Sequence, residues 1–354
     1  DWKGGGGFSA SGHSGEAALL LKSVAIQSGQ PIDGKLDASY SDRVVTLSEL
    51  SLASDGVALT GSGGWDGATL RLPDWKLTHK GRVPLTLALE MPLATGHEGG
   101  FLAQEGPLAL DLVLDGLALD EITRFFAAAP PLAGSLDGGV KATGSFADLD
   151  LQGGIEFRAE TAGDPGESPA MAKLDLSLRG EASRPASWET TLDALLSGLR
   201  WQGMALENIA LDAATDTSRP ERPLVAVLRF DQSGTVLDAN ARLNLGGAAS
   251  LSDLAGVPVL ADATLDIGSV ETLLSDFAPP KWKGLPLAGA LSAKVAGVKL
   301  ERGSLTAGVV ELRSESFAVE GKTFDAIQLD ATVPAPDRIE AVAAITLDGR
   351  NRFA

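Results

Sequence analysis

The chain has 354 residues, 44% of them hydrophobic but only 5% aromatic, with 42 glycines, no cysteine and a formal net charge of −18. That length and apolar content exclude a disordered chain and allow a large core or two ordinary domains. Absent cysteine excludes disulfides, thiol catalysis and Cys-ligated zinc, and the negative charge sets the surface against nucleic-acid phosphate and against docking onto anionic membrane through a basic face.

Leucine, alanine and valine with frequent glycine favour many short strands over a few long helices. No run approaches the ~18 apolar residues needed to span a bilayer, and no signal peptide is visible at Asp1. The chain opens without Met in the run Gly4–Gly7 and ends soon after a strand. It is therefore expected to be a fragment of a longer protein, with any signal or anchor upstream.

Residues 16–90 read as successive strands. Val44–Leu47, Leu50–Leu52 and Val57–Leu59 are short alternating pieces, and Asp55-Gly56 is a turn signal between the last two. Gly61-Ser-Gly-Gly-Trp65 follows, then Leu70-Arg-Leu72, then Leu85, Leu87 and Leu89 in alternation. Leu108–Leu114 places four leucines on one face and leads through Asp115-Gly116 towards a helix.

That helix has Asp120 as its N-cap. Ile122, Phe125, Phe126 and Ala129 give it one apolar face, and Pro130-Pro131 stops it. After Gly134 the period changes to two, through Leu136, Leu149, Leu151, Ile155 and Phe157. The unit recurs. Ser269 is an N-cap, Val270, Leu273, Leu274 and Phe277 form the apolar face, and Pro279-Pro280 ends it. Pro286-Leu-Ala-Gly289 then copies Pro131-Leu-Ala-Gly134 at an offset of 155, and Leu291 and Val295 follow as Leu136 and Val140 do. Lys281–Leu285 is an insertion in the second copy. Pro31-Ile-Asp-Gly34 with Leu36 reads as a third, helix-less copy.

Thr161–Pro169 reads as a loop, and Leu174, Leu176 and Leu178 as a one-sided strand. A second repeat then aligns Leu199–Ala213 with Phe317–Ala331 without gaps, at an offset of 118. Its pattern is strand, tight turn, strand, with Ile209/Leu211 matching Ile327/Leu329 on one face. Between the copies, Val225–Phe230, Leu237–Leu245 and Val257–Leu265 are further strands, separated from Leu211 by the polar loop Thr215–Pro223. Ile345-Thr-Leu347 with Asp348-Gly349 reads as a last strand and turn. The sum is roughly two dozen strands at the ~8–12-residue spacing of all-β chains. The array reads as one continuous domain over 1–354, with 1–118, 119–266 and 267–354 as its sub-units.

Chemistry is sparse. His13, His79 and His97 stand alone, Gly7–Gly12 is not a nucleophile elbow, and Gly4–Gly7 does not open a helix as a phosphate cradle would. Asp148 and Asp150 alternate with apolar residues, as on the wet face of a sheet. No enzyme activity, cofactor or metal is expected. The distributed signal is leucine on one face of strand after strand. It reads either as a β-sandwich with a closed core or as a curved sheet with an apolar groove for acyl chains, lined by Leu87, Leu110, Leu112, Leu176, Leu211 and Leu329. Composition favours the sandwich, and the scarcity of aromatics favours the groove.

The helix–Pro-Leu-x-Gly–strand units at 120–144 and 269–297, the units ending Leu-Asp-Ala at 199–213 and 317–331, and Leu59–Trp65 together resemble the AsmA/TamB-like superfamily of bacterial envelope proteins, of AsmA, TamB or YdbH type. The resemblance covers most of the chain and is diffuse. It implies an all-β fold: an elongated, curved, mostly antiparallel, repeat-built sheet (a β-taco or groove) with two short helices. It implies a periplasmic location in a Gram-negative-type bacterium, an inner-membrane anchor in the full-length chain, and phospholipid movement between the inner and outer membranes. The expected partners are phospholipid acyl chains and, on a second reading as an assembly scaffold, outer-membrane proteins. A surface adhesin-type solenoid is a third reading, for which short strict repeats are missing.

Overall fold

The computed structural model describes residues 2–9, 12–25, 31–93, 105–119, 134–159, 170–201, 204–206, 208–277, 286–301, 304–319, 322–335, 338–347 and 351–353. The chain forms two units, Asp1–Asp164 with Asp175–Ala182, and Pro165–Leu174 with Ser183–Ala354. The fold is all-β, and the strand registers among the described residues are antiparallel.

Unit 1 holds β1 (Trp2–Ser9), β2 (Gly12–Ala25), β3 (Pro31–Ser41), β4 (Val44–Ser54), β5 (Val57–Trp65), β6 (Thr69–His79), β7 (Arg82–Pro92), β8 (Leu108–Ala118), β9 (Gly134–Gly144) and β10 (Leu149–Ala159). Each pairs with the next in sequence. β11 (Met171–Gly180) follows. Asp55 (φ 45°) and Gly56 (φ 77°) make the two-residue hairpin turn that the sequence signals.

Two sequence expectations change in detail. Val44–Leu47 and Leu50–Leu52 belong to one strand, β4, with a bulge between Leu47 and Leu50. The extra residue lets these leucines, three apart, face the same side, opposite Gly63 and Gly61. Asp115-Gly116, read as leading out of the strand towards a helix, is a bulge inside β8, which runs on to Ala118. The helix read at Asp120, the loop Thr161–Pro169, His97, the Lys281–Leu285 insertion and Asp348-Gly349 lie outside the described residues.

Unit 2 holds β12 (Glu189–Ser197), the hairpin β13 (Leu199–Trp201) and β14 (Met204–Leu206), β15 (Ile209–Thr215), β16 (Pro223–Gln232), β17 (Thr235–Asn244), β18 (Val259–Ile267), helix α1 (Val270–Phe277), β19 (Leu287–Ala288), β20 (Leu291–Glu301), β21 (Ser304–Val319), β22 (Lys322–Ala335), β23 (Arg338–Leu347) and β24 (Asn351–Phe353). The main ladder runs β12, β15, β16, β17, β18, β20, β21, β22, β23. β19 adds to β21, and β24 to β23. Ser269 caps α1 as its sequence predicts: the Thr272 amide donates to Ser269 Oγ at 3.1 Å.

The 118-residue repeat appears in the hydrogen-bond register, and of the 155-residue one the described residues show the strands that follow its helices. Leu199 pairs with Leu206, and at the same 118-residue offset Phe317 pairs with Phe324. The second copy continues the β21–β22 hairpin, whereas the first forms a separate two-stranded piece. The difference has a local cause. Gly198 (φ 65°) and Asn208 (φ 55°) flank the β13–β14 hairpin of the first copy, while Ser316 and Ala326 occupy those places in the second and lie in strands. In the other repeat, Leu136 opens a strand beside β8 through Leu117, and Leu291 opens one beside β18 through Ile267.

Few residues are buried. One cluster, Leu108, Ala142 and Leu149, packs with Met91, Leu110, Phe146, Leu151 and Leu178 in unit 1. In unit 2, Leu245 (1% exposed) and Ala248 (0%) anchor the turns between β17 and β18.

Candidate apolar binding face

Antiparallel register decides which side chains meet, because partners directly opposite point to the same side of a sheet. In unit 1, Leu87 on β7 lies directly opposite Leu112 on β8, and Leu112 opposite Val140 on β9. One step along, Leu89 opposes Leu110, and Leu110 opposes Ala142 and through it Leu151. On the other side, Leu59, Leu77, Leu85 and Leu114 form a third row. Alternation within each strand (period two) then puts all three rows on one face.

The structure therefore brings Leu87, Leu110 and Leu112 together. Leu176 lies on β11 two residues from Leu178, which packs against the Leu108–Ala142–Leu149 cluster. Leu211 opposes Ala194 and Leu228, and Leu329 opposes Leu312 and Ala343. These last two share one face of the unit 2 sheet but stand on β15 and β22, at opposite parts of the ladder. All six residues are half-buried. A closed sandwich would bury such leucines fully.

In unit 2 the face is lined in rows across neighbouring strands. Ile209, Phe230, Leu237 and Leu265 make one. The two rows beside it turn to alanine at their centre, Ala239 opposite Ala263 and Ala241 opposite Ala261. β18 shows the consequence in its exposure: Val259, Ala261, Ala263 and Leu265 are half-buried, and Leu260, Asp262, Thr264 and Asp266 are exposed.

Two devices keep the apolar side continuous where strands bend. The first is a bulge whose glycine has positive φ, Gly116 at 61° and Gly297 at 60°. Each glycine amide donates to an aspartate on the neighbouring strand, Asp137 and Asp262 respectively, at 2.7 Å in both cases. The extra residue lets Leu114 and Leu117, and Val295 and Val298, all face the apolar side despite a spacing of three. The second is Trp75, whose indole lies over Gly61 and donates from Nε1 to the Ser62 carbonyl at 2.8 Å. A Cβ at Gly61 would stand 2.6 Å from that ring.

The opposite face is charged and paired. Arg71 donates to Asp66 at 2.5 Å and to Glu90 at 3.0 Å. Lys35 bridges Asp37 and Glu49, Lys141 faces Asp111 at 3.5 Å, and Arg179 faces Asp150 at 3.1 Å. Hydrogen bonds from the Arg71 side chain, and then from the Thr69 and Ala68 amides, hold the Asp66 carboxyl down at about 2. The side-chain bonds to Asp37 and Glu49 hold the Lys35 ammonium above its ordinary range.

Sequence reasoning did not place Trp75, Phe230 or the alanine rows on this face. The run Leu237-x-Ala239-x-Ala241-x-Leu243 carried the signal, since its small residues keep the period of two. A cleft of about 1320 Å³ lies at the β17–β18 turns, lined by residues such as Glu221, Asn244, Asp253 and Pro258. Among the described residues, no group of three or more His, Asp or Glu is placed to hold a metal ion. No helix among them is long and apolar enough to cross a membrane. Compared with known proteins, the chain matches no family profile, no curated protein and no solved structure.

Proposed function

We propose that this protein is a hydrophobic-groove protein that carries phospholipid between the inner and outer membranes, with its leucine face as the path for acyl chains. One observation carries the reading. Leucine stands directly opposite leucine on successive strands, as at Leu87–Leu112, yet these residues are only half-buried. Water is a poor solvent for such rows, and a ligand with a long apolar surface removes them from it. Exposing an acyl chain costs roughly 0.8 kcal/mol per CH₂. The nine-strand ladder of unit 2, at about 4.8 Å per strand, spans on the order of 38 Å. That exceeds the ~15 Å half-thickness of a bilayer's hydrocarbon core. The periplasmic setting and the inner-membrane tether rest on the resemblance to AsmA/TamB-like proteins.

The test is extraction and mass spectrometry of lipid from protein purified without detergent. It is followed by incubation with vesicles of phosphatidylethanolamine and phosphatidylglycerol and reisolation. Phospholipid should co-purify and exchange. Protein that stays lipid-free through both steps would sink the reading.

A further inference from the structure

In unit 1, β5 contributes little side chain to the apolar face. Leu50 on β4 lies opposite Gly61, and Leu47 opposite Gly63, so in two adjoining rows β5 supplies a hydrogen atom where β4 supplies leucine. The space is filled from β6. An ideal Cβ at Gly61 would stand 2.6–2.7 Å from Cγ, Cδ2 and Cε2 of Trp75, and one at Gly63 would stand 2.7 Å from Leu72 Cδ2. Both side chains therefore lean back over β5 and lie down on its glycines.

Trp75 belongs to the apolar face by register. It lies directly opposite Leu87, whose own partner is Leu112. Three bonded ring atoms at nearly the same distance from one point put Gly61 under the flat of the indole, not at its edge. The ring's polar atom is turned to the backbone, with Nε1 donating to the Ser62 carbonyl at 2.8 Å. What remains is a half-buried hydrocarbon plate whose second flat side is turned away from Gly61. The leucines around it, Leu50, Leu72 and Leu87, can change rotamer to follow a ligand. The indole cannot, because one side rests on Gly61 and one edge is held by its hydrogen bond.

We infer that Trp75 is a ligand-contacting residue that fixes the level of the apolar path in unit 1, and that Gly61 is its positioning residue. That the ligand is an acyl chain rests on the function proposed above. A chain crossing from Leu50 to Leu87 lies on the indole. A side chain at 61 lifts the ring off the strand and into that path, because the atoms it meets belong to a rigid ring rather than to a flexible chain end. A raised plate obstructs the chain, whereas a smaller, more pliant residue at 75 does not.

Quenching tests the contact, and uptake tests the level. Phosphatidylethanolamine brominated at mid-chain should quench the emission that the parent has and Trp75→Leu lacks. Gly61→Ala should slow uptake of a fluorescent-acyl phospholipid from phosphatidylethanolamine vesicles about tenfold. Adding Trp75→Leu to that variant should bring uptake back to within about twofold of the parent. Gly64→Ala controls for stability. Gly64 lies opposite Thr46 and Arg71 on the charged face, and a Cβ there would stand 2.9 Å from the Val45 carbonyl oxygen. That substitution overpacks the same strand without touching the path, so its uptake should stay within about twofold of the parent. No quenching at Trp75 in a parent that takes up lipid, equal slowing by Gly61→Ala and Gly64→Ala, or no recovery in the double variant would overturn the assignment while the lipid reading stands. A parent that takes up no lipid would end both.

Discussion

The Gly297 amide donates to the Asp262 carboxylate at 2.7 Å across the β18–β20 ladder, at a bulge where Gly297 has φ 60°. Gly116 and Asp137 repeat the arrangement in unit 1, with the glycine there on the earlier of the two paired strands instead of the later. The bulge adds a residue and the aspartate satisfies the amide that the ladder leaves over. Gly297→Val places a β-branched residue at positive φ and should cost about 1–3 kcal/mol in chemical denaturation. Asp262→Ala should cost about 1 kcal/mol, and Asp262→Asn, which keeps an acceptor, less. Equal losses for the alanine and asparagine variants would mean the carboxyl oxygen is not what holds the bulge.

A second prediction concerns the bend filled by Trp75. Gly61→Ala puts a methyl 2.6–2.7 Å from three atoms of the indole, so the ring must move and its bond to the Ser62 carbonyl at 2.8 Å must lengthen. Overpacking of this kind costs about 1–3 kcal/mol. Trp75→Leu frees the space. The double variant should therefore lose less than the sum of the single losses, by at least about 0.5 kcal/mol in a double-mutant cycle. Strict additivity would show that the ring is not the obstacle.

The Asp66 carboxyl is held at about 2, below its ordinary 3.8, chiefly by the Arg71 hydrogen bond. A group whose folded value is depressed stabilises the fold above its unfolded value, and that stabilisation is lost as pH falls through the folded value. Asp66→Asn should thus be less stable than the parent at neutral pH. The gap should narrow between 3.8 and about 2, read as thermal midpoints along an acid titration. A gap that stays constant through that window would remove the ion pair as its cause.

Much of the fold was legible because period-two patterning is local. The Leu108–Leu114 run, the Asp55-Gly56 turn, the Ser269 cap and the 118-residue repeat are written in adjacent residues, and all reappear in the structure. The bulges were not legible. Asp115-Gly116 has the composition of a hairpin turn, and what makes it a bulge is the Asp137 carboxylate on another strand. The same limit applies to the site. Alternation showed that Leu87 and Leu112 each belong to an apolar face, but only pairing across strands makes them partners. Whether a leucine face is covered is a long-range property that no single strand encodes. The alanine rows at 239/263 and 241/261 stayed hidden because each alanine alone is unremarkable in a strand.

The two faces of β8 allow one last prediction that separates binding from stability. Leu112 points to the apolar side opposite Leu87, while Val113, next in the chain, points the other way and is 44% exposed. An aspartate at Val113 enters the charged face opposite Thr86 and Gly139 and between Asp111 and Asp115, and should cost no more than about 1 kcal/mol, with lipid uptake unchanged. An aspartate at Leu112 sits half-buried among Leu87, Leu110 and Val140, where a carboxylate lacks a partner. It should cost about 1–3 kcal/mol and lower uptake of a fluorescent phospholipid by tenfold or more, since a charge in the path interrupts the acyl-chain surface. Leu112→Ala supplies the control: it matches much of the stability loss without a charge, so its uptake should fall far less. If Leu112→Asp and Leu112→Ala reduce uptake equally, the loss follows from stability, and if Val113→Asp blocks uptake as strongly as Leu112→Asp, the ligand path does not lie on the leucine face.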